Sequence, residues 1–173
     1  MGTNYIVSQI LTDKIDIKPS ELNNPNIIEL LVLKLKHKIG NKIYNNGYII
    51  KNSITFIGKT IGRIVNLNDI NKIEYTIKYS VEMILPTVND IIECYIDNKN
   101  KMGIIAYIKT REIIEDYTGE NTLKDSPLLI IIPNETIEHT EKYNIGSKIK
   151  INVLATRSKM NNDKIQIIGA IIE

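Results

Sequence analysis

Side-chain chemistry needs acids, bases, nucleophiles or metal ligands held close together, and this chain offers few. His37 lies in an apolar stretch of helical character and His139 in a polar loop, and neither has a cysteine or carboxylate arrangement at metal-ligand spacing. Both read as surface or helix-end histidines. Cys94 is the single cysteine, which excludes an internal disulfide, and its place in an apolar strand reads as a small core residue. Asp90 with Glu93, and Glu112 with Glu115 and Asp116, fall in polar segments where carboxylates are ordinarily solvated. Gly58 and Gly62 lead back into strand instead of opening a helix, so they do not form a phosphate cradle. No catalytic residue, metal or cofactor is expected, and the chain reads as non-catalytic.

The elements that hold these residues are mostly strands. From Lys72 to Leu85 the chain alternates, with Ile73, Tyr75, Ile77, Tyr79, Val81, Met83 and Leu85 on one side. A period of two belongs to a β-strand. At ~3.3 Å per residue the run spans on the order of 45 Å, against a usual strand of about 5–6 residues. So long a strand near mid-chain predicts a spine shared by two domains, with Pro86 at its end. Before it, Tyr5–Leu11 and Ile15–Ile17 read as strand. A helix follows, capped by Asn24, begun by Pro25 and closed by Gly40, apolar around more than one face and so expected to be buried along most of its length. Asn46-Gly47 signals a hairpin between Lys42–Tyr44 and Tyr48–Ile50, and the polar, basic loop Ile57–Ile64 has the character of a docking loop or an ordinary solvated turn. After Pro86, five strands (Ile91–Ile96, Met102–Ile108, Leu128–Pro133, Lys148–Leu154, Lys164–Ile172) predict an OB-type barrel. The reading is α+β: an N-terminal antiparallel sheet with one helix over residues 1–84, joined by the long strand to a five-stranded barrel over 85–173 with an insertion at about 110–127.

Isoleucine makes up about a fifth of the chain, and Asn and Lys are also abundant, a bias of AT-rich genomes that favours sheet over helix. Residues 1–82 carry 11 basic and 7 acidic groups and residues 83–173 carry 11 and 13. The acids of the second half concentrate between Glu112 and Glu141, which leaves basic strands able to face a phosphate backbone. No apolar run reaches the ~18 residues of a membrane span and no signal-peptide pattern opens the chain, so no membrane partner and an intracellular location are expected.

The order of marks resembles a known family. The apolar helix ends in Lys38-Ile39-Gly40; then follow Gly47-Tyr48-Ile49-Ile50, Ile57-Gly58, Gly62-Arg63-Ile64, Ile77-Lys78-Tyr79, Pro86, Met102-Gly103-Ile104-Ile105-Ala106, Ile130-Ile131-Ile132-Pro133 and Ile165–Gly169. Together they look like the stalk subunit of multisubunit DNA-directed RNA polymerases, the seventh subunit in the eukaryotic numbering, with relatives in archaea and large DNA viruses. The resemblance covers nearly the whole chain and rests on order and spacing, not on any single piece.

The resemblance implies a non-catalytic subunit whose tip domain docks on the polymerase core and whose OB domain lies near exiting RNA. Ile39, Gly47, Tyr48, Gly58, Lys59, Gly62, Arg63 and Ile64 match its core-docking positions. Lys101, Tyr107, Lys109 and Arg111, with Arg157 and Lys159 in the last turn, match its RNA-facing surface. The implied partners are the large and small core subunits, a companion stalk subunit and nascent RNA. Two departures stand out: Ile105 occupies a position where the family usually has an aromatic, and Lys109-Thr110 replaces its Gly-Pro. With the composition, they point to a divergent member from a large DNA virus, located in virion and host-cytoplasm viral factory; a cellular member would be nuclear. The competing readings are a free-standing OB-fold RNA-binding protein, such as a translation or RNA-processing factor, and a small enzyme with an unrecognised site.

Overall fold

A computed structural model describes residues 5–67, 70–114, 117–137 and 142–172. The architecture is α+β, with one helix, an antiparallel sheet and a closed five-stranded barrel of OB type. Two compact units divide the chain. One comprises Ser8–Gly40 and Ile49–Met83; the other comprises Met1–Val7, Asn41–Tyr48 and Ile84–Glu173. The chain passes between the units at 83/84, and residues 41–48 group with the barrel.

Strand β1 (Ile6–Ile17) is continuous where two strands were expected. Between the two expected segments, Thr12 to Lys14 continue the strand, with Asp13 buried and paired to the Lys38 ammonium at 2.6 Å. Helix α1 (Ile27–Ile39) begins two residues later than expected. Asn24 Oδ1 accepts the Asn26 N–H, and Asn26 then caps the helix: its Oδ1 accepts the Glu29 N–H at 3.3 Å while its Nδ2 donates to Glu29 Oε2. Only Leu31, Leu35 and Ile39 are fully buried, one residue per turn, so the helix rests on a narrow stripe and leaves Ile28 and Leu33 exposed. Two of its lysines tie it to neighbouring segments: Lys34 reaches Glu21 and the Asp16 carbonyl, and Lys38 reaches Asp13 and the Lys14 carbonyl.

Strands β2 (Ile43–Tyr44), β3 (Gly47–Ile49), β4 (Thr55–Lys59), β5 (Arg63–Leu67) and β6 (Ile70–Ile84) complete the first sheet, whose order is β1–β6–β3–β2 with β4 and β5 also paired to β6. The long alternating strand is β6, and Ile77, Tyr79, Val81 and Met83 on its predicted inner side are buried. The β2–β3 turn is made by Asn45 and Asn46, at φ 50° and 68°, one residue earlier than the Asn46-Gly47 signal; Gly47 pairs with Tyr44 in the ladder.

The barrel consists of β7 (Ile91–Asn100), β8 (Gly103–Tyr107), β9 (Leu128–Pro133), β10 (Lys148–Arg157) and β11 (Ile165–Ile172), closed in the order β10–β11–β9–β8–β7. β9 and β11 run parallel and the other pairs antiparallel. Inward-facing Ile92, Cys94, Ile96, Ile104, Ala106, Ile130, Ile132, Ile151, Val153, Ile165 and Ile167 fill it. The insertion opens with one tight helical turn, Thr110–Glu112, while Glu115, Asp116 and His139 lie outside the described residues. Buried Ser126 and Thr110 tie the insertion down: the Ser126 hydroxyl accepts the Ile108 N–H and donates to the Leu128 carbonyl, and Thr110 Oγ1 donates to the Asp125 carbonyl. Lys164 adds bonds from its ammonium to the Lys124 and Ser126 carbonyls.

Candidate functional site

The expected docking residues separate by burial. Ile39 is 0% exposed and Tyr48 6%, and Gly47 is buried, so these three form core in their respective units and present no side-chain surface. In the barrel-bearing unit the segment around Tyr48 is further occupied: Ile43 N–H donates to the Asn162 carbonyl and its carbonyl accepts the Asn161 N–H, so β2 bonds to the β10–β11 turn. Burial, with the nearby Asp163 carboxylate adding to it, pushes the Tyr48 hydroxyl up to about 12.

Gly58 to Ile64 is different. β4 and β5 follow one another along β6, from Thr55 opposite Ser80 to Lys59 opposite Ile77, then from Arg63 opposite Glu74 onward. Between Lys59 and Arg63 the chain advances four residues while β6 advances three. Thr60 closes that gap: its N–H donates to the Thr76 carbonyl, and its Oγ1 accepts the Thr76 N–H. The surplus residue pushes Ile61 outward to 92% exposure, and Ile64 is 77% exposed. Among the described residues β4 and β5 pair only with β6, so this is a sheet edge carrying two exposed isoleucines beside Lys59 and Arg63. Its two glycines are not equivalent. A Cβ on Gly58 would meet nothing within 4 Å, whereas one on Gly62 would come within 2.7–2.8 Å of Ile73 and the Tyr75 ring. The Lys59 ammonium stands 4.9 Å from the centre of that same ring.

On the barrel, the structure brings together two of the six expected RNA-facing residues. Tyr107 ends β8 with its ring 6.2 Å from that of Tyr95, and the Lys109 ammonium sits 3.9 Å over the Tyr95 ring. Arg111, in the following turn, is held inside the insertion, its Nε donating to the Tyr117 carbonyl. Lys101 lies at the opposite end of β8, in the β7–β8 turn, where its carbonyl accepts from Asn134 Nδ2. Arg157 stands opposite Gln166 at the end of β10, and Lys159 is in the β10–β11 turn; neither joins the Tyr95 group.

Tyr95 is the hub that sequence reasoning missed. Its hydroxyl donates to Glu112 Oε1 at 2.6 Å, a bond that raises its pKa, and Lys148 also approaches its ring at 5.8 Å. Lys148 and Lys150 both reach Glu93, at 2.6 and 3.4 Å, and the Lys148 hydrogen bond holds that carboxyl below its ordinary value. The strand alternation of Ile91–Ile96 already put Glu93 and Tyr95 on the outer face; the pairing of β7 with β10, which sets Lys148 opposite Tyr95 and Lys150 opposite Glu93, is a long-range fact that no local pattern carries.

The β8–β9 face, which in OB folds commonly receives oligonucleotides, is aliphatic here. Ile105 pairs with Ile131, and Ile131 with Ile168, making a row of isoleucines across three strands. The ring that β8 adds to this face is Tyr107, at the end of the strand against Tyr95. Among the described residues no group of three or more His, Cys, Asp or Glu is placed to hold a metal, and no helix is long and apolar enough to cross a membrane. Compared with known proteins, the sequence matches no family model and none of the curated proteins.

Proposed function

We propose that this chain is a non-catalytic stalk subunit of a DNA-dependent RNA polymerase, docking on core subunits through the β4–β5 edge and carrying an OB barrel toward exiting RNA. The observation that carries the reading is the edge itself: Ile61, between β4 and β5, and Ile64 on β5 are both exposed beside Lys59 and Arg63, and β4 and β5 lack an outer partner among the described residues. Soluble domains ordinarily protect such an edge, and burying two isoleucines offers about 3–6 kcal/mol before the costs of association. The presence of a helix-bearing sheet and an OB barrel in one chain agrees with the resemblance in the motif order. The docking surface is narrower than the sequence implied, because Ile39, Gly47 and Tyr48 are core residues.

A free-standing OB-fold RNA-binding protein is the second reading, favoured by the lysines and tyrosines around Tyr95, which need no polymerase to act. Copurification separates the two. Tagged chain isolated at low salt from cells making the other polymerase subunits brings down the large subunits under the stalk reading; its recovery without them favours the free-standing one.

A further inference from the structure

The barrel carries a groove that the stalk reading does not use. It has a volume of about 360 Å³ and is lined by Lys142, Tyr143, Lys148, Ile149, Lys150, Ile171 and Ile172, where β10 meets the end of β11. Its lining combines three lysines and a tyrosine with three isoleucines. Lys148 and Lys150 alternate along β10, so both stand on the outer face with buried Ile149 between them. Lys148 also links the groove to Tyr95, and through Tyr95 to Lys109 and Tyr107, so the cationic and aromatic surface continues across the β10–β7 seam.

We infer that this groove binds a nucleotide unit, with a phosphate on Lys148 and Lys150 and a base against Tyr143. The residue types fit that chemistry: ammonium groups track phosphates, and a ring of any sequence context accepts a base face. Glu93 does not prevent it. Its pairs with Lys148 and Lys150 are half exposed on both sides, a class of ion pair that contributes little, and each ammonium has three N–H donors. Glu93 acts as a placeholder that a phosphate displaces. The aliphatic row Ile105–Ile131–Ile168 gives the reason why the contact lies on this seam and not on the β8–β9 face.

The same chemistry is offered by an RNA strand and by a free nucleotide, and the test separates them. Binding of a fluorescein-labelled 12-nucleotide uridine RNA to the full chain is followed by anisotropy across a salt series, with uridine triphosphate as competitor. Changing Lys148 and Lys150 together to Ala is expected to lower affinity at least tenfold and to reduce the salt slope by about 0.7, the share of one phosphate contact on a single strand. Tyr143→Ala is expected to weaken binding about tenfold with the slope unchanged. Glu93→Gln, which leaves both lysines in place, is expected to tighten binding. Competition by the triphosphate at concentrations near those of the RNA assigns the site to a free nucleotide; RNA binding that the triphosphate does not displace assigns it to a strand. No RNA or nucleotide binding, or binding unmoved by the lysine and Glu93 changes in proteins that melt at the wild-type temperature, overturns the inference. The measurement uses no polymerase, so the stalk reading fails or stands separately, by copurification.

Discussion

Gly103 opens β8 at φ 147°, a backbone conformation closed to other L residues, and a Cβ there would strike the Ile132 carbonyl oxygen of the neighbouring strand. Gly103→Ala is therefore expected to destabilise the protein by ~2–4 kcal/mol, read as a lowered urea midpoint. Titration supplies a second prediction. Burial pushes the Cys94 thiol from 9.0 up to about 12, and the Tyr5 and Tyr48 hydroxyls from 10.0 up to about 12. All three are neutral acids whose folded pKa is raised, so the unfolded chain releases protons first. Their contribution is whole below pH 9 and is lost as pH rises toward about 12; Lys164, lowered by burial, acts in the opposite direction as pH climbs to 10.5. Urea midpoints should fall between about pH 9 and 12, and Cys94→Ala should remove the part that starts near 9. Asparagine abundance, which read as a mark of the source, has a structural use: Asn41, Asn45, Asn46, Asn89, Asn121 and Asn161 all adopt positive φ, positions that Asn tolerates better than other non-glycine residues. The sequence shows the asparagines but not which of them will turn, since that depends on the ladders on either side.

Among the elements, β6 was legible because burial on one face forces a strict period of two, as from Ile73 to Met83, while barrel strand β9 was legible as a short apolar run, Leu128–Pro133. Helix α1 was legible in existence and not in its packing: Leu30, Val32 and Leu33 read as a second apolar face, yet only the Leu31–Leu35–Ile39 stripe is buried. The β7–β10 seam was illegible, because Glu93 and Lys150 meet only when the barrel closes. The docking edge was half legible. Gly58 and Gly62 marked it, but only the structure separates their roles: Gly62 is small so that the chain can cross Tyr75 and Ile73, while Gly58 borders open space. Substituting both is thus a poor test of docking. Gly62→Leu is expected to cost ~1–3 kcal/mol through forced displacement of the Tyr75 ring, seen in thermal melts. Gly58→Glu should melt within a few degrees of wild type yet weaken core association, since it places a bulky charge beside the exposed isoleucines.

At the scale of the molecule, the two units follow contacts and not chain order. Residues 41–48 belong with the barrel because Ile43 exchanges backbone hydrogen bonds with the β10–β11 turn, and that return of the chain could not be seen in a sequence read from one end. The length of β6 could, since its alternation is local. The proposed division of labour follows the units: the helix-bearing one docks through Ile61 and Ile64, and the barrel-bearing one meets nucleotide chemistry at Lys148 and Lys150. The measurement that reaches the central claim is copurification of tagged wild type, Gly58→Glu, and Ile61→Asp with Ile64→Asp, from cells making the other polymerase subunits. The account predicts that wild type retains the large core subunits at low salt, and that both variants lose most of them while circular dichroism and melting stay those of the wild type. Recovery of wild type without large subunits, or undiminished recovery with the doubly substituted edge, would contradict it.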